Sequence, residues 1–91
     1  MDSIVGGISN AFAKVVKKHR ESANLSRAAL ARLSNLHQTY IGLLERGDRS
    51  PNVDTAKAIA TALGCTLTQL IQEAETQFDA QPSKPKRKKR S

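Results

Sequence analysis

Ninety-one residues leave room for one small domain, with or without a tail. Hydrophobic residues make up 38% and aromatics 3%, so the core must be aliphatic, and a lone cysteine, Cys65, excludes an internal disulfide and a multi-cysteine zinc site. Fifteen Lys and Arg against eight Asp and Glu give +7. With no run near the roughly 18 apolar residues of a membrane span and no secretory signal pattern, the expectation is a soluble cytoplasmic protein without membrane contact.

The charge is uneven. Residues 82–91 hold six cations (Lys84, Lys86, Arg87, Lys88, Lys89 and Arg90) and no acid, which leaves the preceding 81 residues at +1. The excess is therefore mostly a property of the tail. Within the body, residues 14–49 carry a local +5, while residues 72–81 hold Glu73, Glu75 and Asp79. One end attracts polyanions and the other does not.

Met1 to Gly7, with Gly6-Gly7 and few anchors, is expected to be a loose N-terminus. From Ile8, the residues Phe12, Val15, Val16 and His19 form a helical stripe, with Lys14, Lys17 and Lys18 mostly outside it. Asn24, a residue that tolerates the left-handed region, ends this helix. Ser26 caps a second helix that turns Leu30, Ala31 and Leu33 inward and closes at Asn35 after about two turns. A third helix runs from Gln38 to Arg46 with Ile41 and Leu44 inside, His37 at its N-cap and Gly47 as its stop. Asp48 to Asn52 is a polar connection in which Pro51 prevents continuation. A fourth helix starts at Val53 or Asp54, buries Ala56, Ile59, Ala60 and Leu63, and ends at Gly64. Thr66 with Gln69 is a capping box for a fifth helix, whose Leu67, Leu70, Ile71 and Ala74 fall at i, i+3, i+4 and i+7. From Gln77 the pattern dies. The sequence thus predicts an all-α body over residues 8–76, with residues 77–91 a disordered basic tail.

Two short helices joined by a few residues, with a left-handed corner at Asn35, describe a helix-turn-helix. The segments Leu25 to Ala31, His37 to Pro51 and Ala60 to Gly64 resemble the phage repressor/Cro-type (XRE-type) DNA-binding family. Within it, they resemble its compact members, the controller proteins of restriction-modification systems. The resemblance covers about residues 8–75 and is most specific from Tyr40 to Pro51. It implies a five-helix lambda-repressor-like domain with its third helix in the major groove of double-stranded DNA, and a homodimer on a pseudo-palindromic operator. It also implies a repressor, or a controller that activates at one occupancy and represses at another. Asn24 and Asn35 replace glycines usual in the family. Arg27, Ala28 and Ala29 replace the acids common early in its second helix, which makes that end more basic.

Helix geometry distributes the roles. Gln38, Thr39, Gly42, Leu43 and Arg46 share the face opposite Ile41 and Leu44. Gln38 can bond bidentately to adenine, Thr39 can offer its hydroxyl or touch a thymine methyl, and Leu43 offers apolar contact, so base readout leans to A·T. Arg27, at the start of the second helix, is expected on a phosphate. Arg46 and Arg49 are further phosphate or minor-groove candidates, and Lys17 and Lys18 weaker ones. The family resemblance implies that Arg20 and Glu45 form a structural ion pair tying the first helix to the third. Leu67 and Leu70 are the candidate dimer contacts, since a small core leaves apolar surface to cover.

His19 and His37 lie 18 residues apart with no acid or cysteine at ligand spacing, so no metal, cofactor or small-molecule ligand is expected. No Ser/His/Asp set supports catalysis. The tail would add sequence-independent affinity for phosphates. Residues 85–90 also resemble a nuclear-import signal, relevant only in a eukaryotic host, where a coactivator is a further reading; otherwise the protein is expected at the nucleoid. The alternative function is an antitoxin or other protein-interaction module in which the helix-turn-helix is secondary. It would need neither Arg27 nor Gln38.

Overall fold

Four residues in the left-handed region divide the chain into helices. In the structure, a computed structural model that describes residues 2–79 and the side chains of residues 7–79, the order is α1 (Asp2–Ser22), α2 (Arg27–Ser34), α3 (Gln38–Glu45), α4 (Val53–Leu63) and α5 (Leu67–Asp79). No strand occurs among the described residues, so the all-α, five-helix expectation holds. None of their helices is long and apolar enough to cross a membrane.

Asn24, Asn35, Gly47 and Gly64 have φ of 60°, 61°, 81° and 78°. The amide after each donates back across the helix end. Leu25 bonds the Arg20 carbonyl at 3.1 Å, Leu36 that of Ala31 at 2.8 Å, Asp48 that of Leu43 at 2.9 Å and Cys65 that of Ala60 at 3.0 Å. This closure satisfies carbonyls that a helix leaves open. Gly47 meets a second demand, because a Cβ there would collide with the Asn10 side chain on α1. At the N-termini, Ser26 Oγ accepts from Ala29 N–H at 3.0 Å, Asn52 Oδ1 from Thr55 at 2.8 Å and Thr66 Oγ1 from Gln69 at 3.0 Å. Asn52, read from sequence only as part of a polar connection, is thus the cap of α4.

The core is aliphatic apart from Phe12: Val15, Val16, Leu30, Ile41, Leu44, Ile59 and Leu70 have essentially no exposed surface. It draws on every helix, with α1 packed along α5 and α2–α3 set against α1 and α4.

Four expectations need correction. The segment expected to be loose is helical from Asp2, and α5 continues to Asp79. The two extensions support each other: a Cβ on Gly7 would collide with the Phe78 ring, which packs against the core. The glycine read as a source of looseness is the flat place where that ring sits. Leu33 is 56% exposed, and Ser34 takes the inward place instead. At about 100° per residue, Leu33 falls well outside the arc spanned by Leu30 and Ala31, while Ser34 falls inside it. Burial of Ser34 is tolerated because its Oγ donates to the Leu30 carbonyl at 2.7 Å and lies 3.3 Å from that of Ala31. Leu70 is fully buried within its own chain, because its position on α5 faces the centre of the core. It offers no surface to a second copy. The rest of the expected tail, residues 80–91, lies outside the described residues.

Candidate nucleic-acid interface

The turn at Asn35 sets α3 so that Ile41 and Leu44 are sealed beneath while Gln38 and Thr39 face solvent. His37 occupies the N-cap of α3 without a side-chain capping bond. The helix therefore begins with amides open to an incoming acceptor, beside two side chains able to read base edges. Leu43 is half-buried on the same face. Gly42 leaves the middle of that face bare, and Arg46 Nη1 lies 3.9 Å from where a Cβ would stand. The guanidinium thus folds back along the helix.

The cations around this face are in different states. Arg46 Nε donates to Asp48 Oδ2 at 3.2 Å, an exposed pair that a phosphate can displace at little cost. Arg49 is exposed and close enough to Tyr40 for its charge to act on the phenol. Burial pushes the Tyr40 phenol above its ordinary range, and the Arg49 charge offsets part of that rise. Arg27 sits at the first position of α2, and its Nε donates to Glu45 Oε1 at 3.1 Å. Lys17 and Lys18 are exposed on α1, but Lys18 lines a groove with His19 and Glu73 between α1 and α5, on the side of the acidic helix. Lys14 lies closer to the end of α3, in a cleft with Glu45, Arg46 and Gly47. Reading the sequence missed Lys14, since helical periodicity marks a residue as outward without saying which neighbour it meets.

Behind the face lies the expected ion pair. Arg20 Nε donates to Glu45 Oε2 at 2.6 Å and Nη2 to Oε1 at 3.0 Å, while Nη1 reaches the Leu25 carbonyl at 2.7 Å. The hydrogen bond to Glu45 raises the Arg20 pKa and burial opposes it. One carboxylate, at the end of α3, thereby ties α1 and the start of α2 to that helix. The addition of Arg27 to this set was not anticipated: 18 residues separate it from Glu45, and only the fold brings them together.

A second pair joins His19 Nε2 and Glu73 Oε1 at 2.9 Å across α1 and α5. No group of three or more His, Cys, Asp or Glu among the described residues is arranged to hold a metal. Burial, with Glu73 nearby, pushes the Cys65 thiol up. Val53 is 73% and Ile71 39% exposed, and they border an apolar cleft of about 250 Å³ that Phe12, Ala56 and Leu67 also line.

Comparison with known proteins adds to this geometry. The helix-turn-helix family profile matches residues 16–70. The control protein C.SmaI of Serratia marcescens is 38% identical over 64 residues, which span 70% of this chain and 76% of that protein. Among solved structures, the restriction-modification controller protein C.AhdI from Aeromonas hydrophila superposes with a TM-score of 0.66 at 32% identity, covering 68% of this chain and 94% of the other. The controller protein C.Esp1396I, solved as a tetramer with its natural 35-base-pair operator, shares the fold at a TM-score of 0.72 and 24% identity, over 78% of this chain and 93% of its own.

Proposed function

The chain belongs to the XRE-type helix-turn-helix family as a DNA-binding regulator of the restriction-modification controller type, and we propose that it binds a pseudo-palindromic operator as a homodimer. The observation that carries this reading is the solvent-facing start of α3, where Gln38 and Thr39 stand clear of the core beside a cationic rim. In the proposed complex these two read base edges, with Leu43 against a thymine methyl. Arg27, Arg46 and Arg49 hold phosphates or the minor-groove edge, and fix the register that base contacts need. Lys17 and Lys18 add only diffuse attraction. The activity is binding, without catalysis or cofactor. One neighbour of the same fold, C.Esp1396I, binds its own operator as a tetramer, which favours an assembly of more than one copy.

The second copy would cover the apolar cleft beside Val53 and Ile71, with Leu67 at its edge. The proposed dimer places two α3 helices about one DNA turn apart, roughly 34–36 Å. The basic segment 82–91 would contribute attraction common to all sequences, with a salt slope of up to about 0.9 per phosphate neutralised.

The test is in vitro selection from random duplexes with the purified full chain, followed by sedimentation of protein and complex. The expected product is a two-fold motif with A·T pairs opposite Gln38, bound by two chains. Failure to enrich any motif, or invariant guanines opposite Gln38, would overturn the assigned readout. A strict monomer on DNA would overturn the dimer.

A further inference from the structure

Glu45 has no exposed side-chain surface, yet it is shared between two arginines of different standing. Arg20 is almost wholly buried and gives three nitrogens to Glu45 and the Leu25 carbonyl, whereas the Arg27 side chain is 47% exposed and gives only Nε. Among the described residues, the two terminal nitrogens of Arg27 have no hydrogen-bond partner. They project from the first position of α2, where the helix dipole also favours an anion. A guanidinium is planar, so fixing Nε on one carboxylate sets the direction in which the opposite edge points. Glu21 lies 3.9 Å from Arg20 Nη2 on the α1 side, so the acids of this corner face Arg20 while the outer edge of Arg27 stays open.

We propose that Glu45 is a positioning residue for phosphate binding, orienting the Arg27 fork and holding it in register with Gln38 and Thr39 at the other end of the same helix. The inference deepens the DNA-binding reading and rests on it. α3 carries the reading side chains at its start and Glu45 at its last residue. One rigid rod of two turns therefore links base contact to phosphate contact, and Arg27 meets its phosphate only when the helix is seated at the right depth. A lysine at position 27 would keep the charge but lose the Nε–H and the planar fork. Its ammonium would be free to seek any phosphate.

The contrast between Arg27→Lys and Arg27→Gln gives the test. Fluorescence anisotropy would follow binding of each full-length variant to the duplex selected by the parent protein, and to a scrambled duplex of the same length, over a salt series. On the selected duplex, Arg27→Lys should lose about tenfold in affinity, the scale of one charge-assisted hydrogen bond. Its salt slope and its scrambled-duplex affinity should stay with the parent, and its melting temperature should follow. Arg27→Gln should lose affinity for both duplexes, and its salt slope should fall by about 0.9. A Glu45→Gln change made on the Arg27→Lys background should cost little further DNA affinity; where Glu45→Gln does not fold, the lysine variant alone decides. If Arg27→Lys binds the selected duplex as tightly as the parent, the positioning role is refuted while DNA binding stands. If the parent selects no duplex, the DNA-binding reading itself has failed.

Discussion

Arg20→Met removes the guanidinium beneath the helix-turn-helix but keeps much of the side chain's bulk. It deletes the bonds to Glu45 at 2.6 and 3.0 Å and the bond to the Leu25 carbonyl at 2.7 Å. Stripping one partner from a buried ion pair costs roughly 3–5 kcal/mol, because the charge left behind is neither paired nor hydrated. Here Glu45 keeps one bond, from Arg27 at 3.1 Å, and that arginine is half-exposed. The low end of the range applies, about 3 kcal/mol. For a domain of this size, each 1 kcal/mol lowers the melting temperature by about 4–8 °C, so the midpoint should fall by roughly 12–24 °C. Thermal and urea unfolding followed by far-ultraviolet circular dichroism would measure it. The double variant Arg20→Met/Glu45→Met removes both charges and should recover part of the loss, since an apolar pair of similar volume avoids the stranded carboxylate. A single variant within about 1 kcal/mol of the parent, or a double variant less stable than the single, would refute the claim that the buried charge sets the cost.

Three other outcomes follow from the geometry. Asn35→Gly should leave stability nearly unchanged and Asn35→Ala should cost about 1 kcal/mol, because at φ of 61° alanine keeps the strained Cβ and loses the short polar side chain that offsets it; equal urea midpoints would contradict the account of the turn. Gly7→Val should push against the Phe78 ring and destabilise by roughly 1–3 kcal/mol. Adding Phe78→Ala should then cost less than it does alone, as a double-mutant cycle by thermal unfolding would show. Cys65 should alkylate slowly at pH 7.5, because burial raises its pKa and keeps the thiol protonated. The stability tied to the neutral thiol is complete below the unfolded pKa and is lost as pH rises through the higher folded one. Labelling with iodoacetamide at equal rates in buffer and in urea would contradict this.

Arg27 and Leu70 show how a residue's surroundings redirect its role. Arg27 was expected on a phosphate, and the structure gives it an internal partner that leaves its terminal nitrogens available. Leu70 was expected on an interface and lies in the core, while Leu67 stays at the cleft that Val53 and Ile71 border. The first follows from how α2 meets α3, the second from how α5 packs on α1 and α4.

What the sequence by itself determined was local. Ser26 and Thr66 announced helix starts, Asn24, Asn35, Gly47 and Gly64 announced stops, and all six act in the structure through bonds that span a few residues. The outward stance of Gln38 and Thr39 was also legible, because Ile41 and Leu44 on the opposite face of the same short helix must be buried. Tertiary structure decided what joins distant segments: Phe78 over Gly7, Arg27 on Glu45, and Lys14 beside the end of α3. It also decided which of Leu33 and Ser34 turns inward, since an eight-residue helix is too short for periodicity to locate its buried arc. Helix caps depend on backbone groups a few positions away and leave their mark in residue type. Contacts between helices depend on where several rods cross, and no single segment records that.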